Sequence, residues 1–253
     1  MYFESHAHYD DKRFDDDRYE TIERVYANGV DYIVNSGSDM NSSEFGIELS
    51  HKYPFFYAAV GIHPHETKDI KQEDMLKLLA MSKDEKVVAI GEIGLDYYYD
   101  LSPRDIQRKW FEKQLDLSIE AKLPVIIHSR DAAGECFDII KNSGVRKGVI
   151  HSYSGSVEMA LDYIEMGFYI GVGGIVTFKN AKKTANVVKS IPISKILIET
   201  DSPYLTPEPN RGVRNDSQNL KYIVEKIAQI KQIEPEKVAE ITMVNAKELF
   251  FEK

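Results

Sequence analysis

Eight short β-rich runs recur along the 253 residues of this chain, and segments with helical periodicity lie between them. The runs read MYFESHAH, DYIVNSGS, FFYAAVGIHPH, KVVAIGEIGLD, PVIIHSR, GVIHSY, FYIGVGG and KILIETDSP. Most are continuously apolar, which is typical of parallel strands covered on both faces. Eight strand–helix units in a chain of this length match the size and order of a (β/α)8 barrel. We therefore predict an α/β fold, a single-domain TIM barrel that spans residues 1–253.

Three of the intervening segments carry the clearest helix signals. Residues 103–122 have a proline near their start, which is favoured in the first helical turn. Residues 156–167 begin at Ser156, a good N-cap, and end at Gly167, a common stop. Residues 235–250 also open with a proline. We expect these segments to be helices that cover the strands.

An open, doubly wound sheet is the alternative to a barrel. Such a sheet rarely needs eight strands, and it usually has a glycine-rich nucleotide loop after the first strand. The glycine-rich stretch IGVGG (170–174) follows a late strand instead, and no GxGxxG or Walker A pattern comes after it. We predict that these glycines serve close packing or a bend, and that the barrel is the fold.

Composition and charge narrow the class of protein. No apolar run is long enough for a membrane span, and the acidic N-terminal segment lacks the apolar core of a signal peptide. The one cysteine, Cys136, cannot form an internal disulfide and suits a reducing compartment. The net charge of −9 argues against a protein that coats long nucleic acids, but it permits an enzyme that holds a few phosphates. We predict a cytoplasmic protein, with a monomer as the default.

Six of the seven histidines stand at the ends of predicted strands. They are His6, His8, His63, His65, His128 and His151. The carboxyl ends of all barrel strands share one face, and that face carries the active site. Scattered core or surface histidines would not sort in this way, and only His51, in a helix-like segment, departs from the pattern. We therefore predict one shared site, to which strand ends also bring Glu92, Glu199 and Asp201.

The residue types at this face predict a metal site. His6 and His8 stand two residues apart, so in a strand their side chains point to the same side. The predicted ligands are His6, His8, Glu92, His128, His151 and Asp201. This set is too large for one catalytic zinc, which takes three protein ligands and a water. It suits two divalent ions about 3.5–4 Å apart. We predict Mg²⁺, Mn²⁺ or Zn²⁺, with Glu92 as the bridging ligand.

Six motifs in order give the chain a family resemblance. They are SHAH (5–8), GIHPH (61–65), GEIGLDYY (91–98), PVIIHSRDA (124–132), HSYSGS (151–156) and ETDSPYLTP (199–207). Together they extend over essentially the whole chain. The chain resembles the TatD family of metal-dependent deoxyribonucleases, in the amidohydrolase superfamily.

The resemblance implies a role for each strand-end residue. One ion would be held by His6, His8, Glu92 and Asp201. The other would be held by Glu92, His128 and His151. Asp201 would also take a proton from the attacking water, so the implied catalytic residues are Asp201 and Glu92.

The resemblance also implies substrate contacts. His63 and His65 correspond to loop histidines of the active site, which bind substrate phosphate or an additional ion. Asp96 and Arg130 are candidates for phosphate contact or for support of the ligands, and a packing role is the equal alternative.

Three segments depart from the family pattern. Glu4 stands where the family usually has Asp, and Ser-Tyr follows His151 where the family usually has Cys-Phe. The loop RGVRNDS (211–217) differs from the family's RGKRNEP-like loop, which is expected to contact substrate. Arg211 and Arg214 remain there as candidate phosphate clamps, and a solvated basic turn is the alternative.

The expected reaction is hydrolysis of a phosphodiester at a DNA 3′ end. A barrel mouth is concave, so a frayed or single-stranded end enters more easily than a duplex interior. Tyrosines near that mouth are expected either to stack a terminal base or to pack at the rim. These are Tyr97, Tyr98, Tyr99 and Tyr153.

Two other functions compete with the nuclease. A two-metal amidohydrolase acting on a small amide, ester or phosphoester would use the same ligands, because metal-activated water attacks carbon and phosphorus alike. A non-catalytic binding protein on the same barrel is disfavoured, because all six expected ligands and the base are present.

Overall fold

The computed structural model describes residues 1–252, and its eight strands form one parallel sheet in sequence order. The strands are β1 (Tyr2–Ala7), β2 (Val30–Ser36), β3 (Phe56–Val60), β4 (Val87–Asp96), β5 (Val125–Arg130), β6 (Gly148–Ile150), β7 (Phe168–Val172) and β8 (Ile196–Ile198). Each strand pairs in parallel with the next. The predicted (β/α)8 barrel is confirmed, and each of the eight predicted runs contains one strand.

Nine α-helices are found within residues 1–252. They are α1 (Arg18–Ala27), α2 (Met40–Lys52), α3 (Gln72–Met81), α4 (Arg104–Ala121), α5 (Ala133–Ser143), α6 (Val157–Glu165), α7 (Lys182–Ser190), α8 (Leu220–Lys231) and α9 (Pro235–Phe251). The three segments singled out from the sequence correspond to α4, α6 and α9, and the Ser156 side chain caps α6 as expected. None of these helices combines the length and the apolar content that a bilayer crossing requires.

The barrel interior is filled by side chains and closed at one end by α9. An inner cluster joins inward residues of the strands, among them Phe3, Ile126 and Leu197, to Leu249 and Phe250 of α9. A second, larger cluster lies between the strands and the surrounding helices. Because Phe3 stands near the start of β1, α9 covers the amino-terminal end of the barrel. The opposite end, formed by the carboxyl ends of the strands, is left to polar residues.

The strand that carries the first histidine pair changes its facing direction part-way along. Phe3 packs in the inner cluster and Ala7 in the outer one, although residues four apart in a regular strand share a face. The ladder to β2 is irregular between Glu4 and Ala7, which accounts for the change. His6 and His8 follow the shifted phase and both reach the interior.

The segment after β8 pairs with β1 at the carboxyl end of the barrel. Ala7 and Ser202 form an isolated parallel bridge, the His8 amide donates to the Ser202 carbonyl at 2.7 Å, and the Asp201 amide donates to the His6 carbonyl at 3.0 Å. The seam therefore closes at the residues predicted to bind metal.

Glu4 strengthens this seam from inside the protein. Its fully buried carboxyl group accepts hydrogen bonds from the Thr200 amide at 2.8 Å, the Thr200 hydroxyl at 2.6 Å and the His6 amide at 3.3 Å. Burial raises the pKa of Glu4 to about 8, above the lowering effect of these donors. The group is therefore largely a neutral acid at pH 7. The Glu in place of the family's usual Asp acts as a link between β1 and the segment after β8.

We predict that Glu4→Ala lowers the free energy of unfolding by about 2 kcal/mol or more, because it leaves buried Thr200 donors without acceptors. Glu4→Gln should cost less than about 1 kcal/mol, because an amide is close in shape to a neutral acid and can pair with the Thr200 hydroxyl. Urea denaturation of the two variants measures the difference. Equal losses would contradict the assigned role of this hydrogen-bonded group.

Candidate metal centre

The carboxyl ends of the strands surround a cavity of about 530 Å³. Eight of the residues predicted to bind metal or substrate line it. They are His8, His63, His65, Glu92, His128, Arg130, His151 and Asp201. His6 lies fully buried directly behind them. The predicted polar residues of six strands are thus gathered at one place, whereas those of the loop 211–217 do not line the cavity.

The first group of converging atoms contains two imidazoles and a carboxylate. The Nε2 atoms of His6 and His8 lie 3.0 Å apart, and each is 3.5 Å from Asp201 Oδ1. Glu92 Oε2 lies 3.4 Å from the first nitrogen and 3.6 Å from the second. A tetrahedral ion with bonds of about 2.0–2.1 Å holds its ligands roughly 3.4 Å apart. The two nitrogens and Asp201 Oδ1 therefore have the spacing of a metal-ligand shell, and Glu92 Oε2 lies beside both nitrogens.

The second group faces the other oxygen of Glu92. Glu92 Oε1 lies 2.8 Å from His128 Nδ1, 3.0 Å from His151 Nε2 and 3.8 Å from His63 Nε2. Three triples of these residues have ligand atoms within 4.8 Å of one another: His6, His8 and Asp201; His63, Glu92 and His128; and His6, Glu92 and His151. One carboxylate therefore presents a separate oxygen to each of two histidine-rich groups.

Ser36, at the end of β2, holds the first two imidazoles in this orientation. His8 Nδ1 lies 2.8 Å from the Ser36 carbonyl and donates to it, while His6 Nδ1 lies 3.0 Å from the Ser36 hydroxyl. Partners on Nδ1 leave Nε2 free for a metal. The sequence analysis assigned no role to Ser36. Its position at a strand end was the only available signal.

Glu199 stands behind the third imidazole. Its fully buried carboxylate lies 3.4 Å from His151 Nδ1, an ion-pair distance without hydrogen-bond alignment. Gly171 of β7 provides the room, because a Cβ there would lie 2.6 Å from Glu199 Oε2. The close-packing interpretation of the IGVGG stretch therefore holds at Gly171. The sequence predicts that Glu199 lies at the shared face but does not indicate a function for it.

Asp96 and His65 extend the second group toward the rim. Asp96 Oδ2 lies 3.0 Å from His128 Nε2 and 3.0 Å from His65 Nε2, although the latter contact lacks hydrogen-bond alignment. Asp96 Oδ1 accepts from the amides of Tyr98 and Tyr99 at 3.0 and 2.9 Å. Asp96 thus both contacts a predicted ligand and shapes the loop after β4.

Buried carboxylates and imidazoles shift each other's pKa values in this centre. Burial by itself raises the pKa of Glu92, but the nearby imidazoles, His151 foremost, hold it well below its usual range. Burial also raises the pKa of Asp201, and its contact with His8 outweighs that effect and lowers it. Both carboxylates are ionised at neutral pH. They require either protons on the imidazoles or cations among them.

The imidazoles divide into two kinds. Burial lowers the pKa of His6 and lowers that of His63 strongly, so both are neutral and able to coordinate. For His8, His128 and His151 the neighbouring carboxylates outweigh burial and raise the pKa, to about 9 for His8. These three hold protons that a metal ion has to displace.

The arginines predicted to contact substrate differ in their placement. Arg130 lines the cavity. Arg211 lies over the Phe178 ring at 3.9 Å, and Arg214 makes two bonds of 2.6 Å to Asp17; neither lines the cavity. His51 lies on α2 and contacts Asp84 at 2.8 Å, apart from the centre as expected.

The chain is similar over most of its length to several known proteins. A family model described as TatD related DNase matches residues 3–251. The chain is 46% identical over 252 residues to the uncharacterized metal-dependent hydrolase YabD of Bacillus subtilis, covering 99% of both chains. It is 30% identical over 247 residues to the 3′-5′ ssDNA/RNA exonuclease TatD of Salmonella typhimurium, covering 94% of both. The crystal structure of YJJV, a TatD homolog from Escherichia coli, superposes with a TM-score of 0.92 at 29% identity, over 100% of this chain and 98% of that one.

We predict that Glu92→Ala releases at least one divalent ion per chain, because it removes an oxygen from both groups at once. The barrel should stay folded, because the substitution deletes a charge that the fold has to compensate. Elemental analysis of purified protein, with circular dichroism as the folding check, measures this outcome. His51→Ala is the matched control and should keep the wild-type metal content. Full metal content in the Glu92 variant would rule out the bridging position.

Metal affinity should fall as the pH is lowered from 8 to 6. The pKa values of His8, His128 and His151 are raised, so a metal ion has to displace protons from these rings, and this competition strengthens as the pH falls because only a neutral ring coordinates a metal. Calorimetric titration with Mn²⁺ in buffers of different ionisation enthalpy counts the protons released. Binding without proton release at pH 7 would contradict this assignment.

Proposed function

This chain belongs to the TatD related DNase family of metal-dependent hydrolases, and we propose that it is a 3′–5′ exonuclease acting on single-stranded DNA ends. The proposal includes two divalent ions per chain, drawn from Mg²⁺, Mn²⁺ and Zn²⁺. His6, His8, Glu92 and Asp201 would hold one ion. Glu92, His128 and His151 would hold the other.

The placement of Glu92 carries the two-ion proposal. Its two oxygens face different histidine groups at 2.8–3.0 Å and 3.4–3.6 Å, as a bridging carboxylate would. A single ion would leave one of these groups without a cation beside an ionised carboxylate. Two divalent ions held by these residues would supply Lewis-acid stabilisation of both the attacking and the leaving oxygen in phosphoryl transfer.

Asp201 is the proposed general base. Its carboxylate lies on the cavity wall, partly exposed, whereas Glu92 is almost wholly buried. Contacts with the histidines keep its pKa low, so it is ionised and can accept a proton from an attacking water. The hydrogen bond from its backbone amide to the His6 carbonyl fixes the backbone beside the first histidine pair. Asp201 would therefore accept the proton of a water beside the first group of predicted ligands.

Groups at the mouth that can bind phosphate support a phosphate-bearing substrate. Arg130, His63 and His65 line the same cavity as Asp201. A guanidinium group suits phosphate by charge and shape. The Salmonella relative, named as an exonuclease for single-stranded DNA and RNA, supports a polynucleotide over a small phosphoester.

A small-molecule hydrolase is the second candidate. The cavity volume of about 530 Å³ also fits a ligand of ordinary small-molecule size. Asp10, Asp11 and Glu66 add acidic groups to its wall, which would repel additional backbone phosphates. Such an enzyme would use the same metal ligands and the same base on a small amide, ester or phosphoester.

An end-labelled single-stranded DNA distinguishes the candidates. We expect stepwise loss of nucleotides from the 3′ end with Mg²⁺ or Mn²⁺, and no loss after a chelator is added. The same strand annealed into a blunt duplex should be cut more slowly. If the DNA stays intact while about two ions are bound per chain, the substrate is a small molecule instead.

Asp201→Asn should lower kcat on single-stranded DNA by about 10²-fold or more, because it removes a base and a charged ligand. Asp84→Asn is the matched control, since Asp84 also pairs with a histidine, at 2.8 Å, but far from the cavity. Single-turnover rates at saturating metal measure the loss. A rate near that of the wild type would remove Asp201 from the role of base.

A further inference from the structure

Two tyrosine–arginine pairs stand on the wall of the metal-centre cavity, and metal binding does not account for either. Tyr99 and Tyr204 both line the cavity, and their side chains are 54% and 43% exposed. Exposed aromatic rings on the wall of a concave cavity offer stacking surfaces to a ligand. Each ring is accompanied by a guanidinium group that belongs to another part of the chain.

The first pair consists of Tyr204 and Arg13. The guanidinium carbon of Arg13 lies 3.9 Å from the centre of the Tyr204 ring. Asp11 joins the two side chains, because it accepts from the Tyr204 hydroxyl at 2.8 Å and from two guanidinium nitrogens of Arg13 at 3.1 Å each. The ring and the cation are thus held in place before any ligand binds. We call this pair the Tyr204 platform.

The second pair lies in the loop after β4. Arg130 stands over two adjacent rings, at 4.1 Å from the centre of Tyr98 and 4.7 Å from that of Tyr99. The two rings pack edge to face with centres 4.9 Å apart, and Asp96 anchors both of their amides. Tyr98 is 58% exposed. We call Tyr98, Tyr99 and Arg130 the Tyr99 platform.

The metal centre lies between the two platforms. The Tyr204 ring meets His8 edge-on, with ring centres 6.1 Å apart, and His8 belongs to the first group of predicted ligands. The Tyr99 ring meets His65 edge-on at 5.5 Å, and His65 lies beside the second group through Asp96. A phosphate at the centre would therefore have one platform on each side.

We propose that the two platforms stack nucleobases on either side of the phosphodiester bond that is cleaved. The ligand is then a single strand of at least two nucleotides, and this inference rests on the proposed nuclease function. Stacking on an aromatic ring is available to every base, and an arginine beside the ring adds attraction to the base or to the flanking phosphate. Bases in a duplex are already paired and stacked, so a single strand or frayed end is preferred.

The other candidate tyrosines lack these properties. Tyr153 is 7% exposed, and its hydroxyl donates to the Ser156 carbonyl at 2.7 Å. The Tyr97 hydroxyl donates to Glu135 at 2.6 Å, and the ring does not line the cavity. Both rings serve packing in this structure. The stacking surface consists of Tyr98 and Tyr99 with the addition of Tyr204.

The test compares variants of each platform on two single-stranded oligonucleotides. One carries ordinary nucleotides, and in the other a tetrahydrofuran residue replaces the base on one side of the scissile bond. On the ordinary strand, Tyr204→Ala and Tyr99→Ala should each lower kcat/KM roughly 5- to 100-fold, the range expected for the loss of one stacked base. Tyr204→Trp and Tyr99→Trp should restore most of the activity, because they keep an aromatic face.

The base-free strand identifies what each ring contacts. The loss caused by one platform variant should shrink to less than threefold when the base on its own side is absent, and should persist when the other base is removed. Tyr19→Ala is the matched control, because Tyr19 is 43% exposed with Lys52 at 3.7 Å over its ring, but does not line the cavity. It should match the wild type on both strands.

Three results would overturn the platforms. If both alanine variants match Tyr19→Ala while the wild type degrades DNA, the platforms fail and the nuclease function stands. If a variant loses equally on both strands and the tryptophan variant does not recover, the ring has only a structural role. If the wild type leaves every oligonucleotide intact but hydrolyses bis(p-nitrophenyl) phosphate, the nuclease function fails and the platforms fail with it.

Discussion

The ionised carboxylate of Glu92, buried between two groups of histidines, is the constraint on which the rest of the centre depends. A charged carboxylate in such a position is costly unless positive charge faces it. Both of its oxygens are close to imidazole nitrogens, and those nitrogens come from three different strand ends. The folded barrel must therefore bring β4 close to β1, β5 and the end of β6 before the charge of Glu92 is compensated.

The closure of the barrel serves the same requirement. β1 and the segment after β8 are joined by one β-bridge, by two hydrogen bonds from backbone amides and by the neutral acid Glu4. All of these contacts lie within a few residues of His6, His8 and Asp201. At the amino-terminal end, α9 closes the barrel with apolar side chains instead. The molecule thus separates stability at one end from chemistry at the other, as the fold generally permits.

Electrostatics at the mouth reconcile an acidic chain with the phosphate-bearing substrate that we propose. The net charge of −9 is that of the whole chain, whereas Arg130 lines the cavity and Arg13 lies beside Tyr204 of the cavity wall. Arg13 is bound to Asp11 and stacked on Tyr204, and Arg130 is stacked on Tyr98 and Tyr99. Long-range attraction of nucleic acid is therefore weak. This surface suits recognition of the end of a nucleic-acid strand by short-range contacts.

Much of the centre was predictable from the sequence alone, because a barrel collects strand ends on one face whatever the details of packing. Polar residues that interrupt apolar runs at those ends identified the barrel, and they are the side chains that line the cavity or stand directly behind it. Local patterns could not show which partners orient them. Ser36 and Glu199 act through contacts 28 and 48 residues away from the histidines they face, and no local motif encodes such contacts.

The sequence by itself determined the order of strands and helices and the convergence of His6, His8, Glu92, His128, His151 and Asp201, since both follow from periodicity and topology. Only the tertiary structure decided which oxygen of Glu92 faces which group, and that Arg214 is paired with Asp17 outside the cavity. It also joined Tyr204 to Arg13, 191 positions earlier in the chain. These outcomes depend on side-chain directions and on loops that meet across the barrel mouth, and both are fixed by packing between residues far apart in sequence.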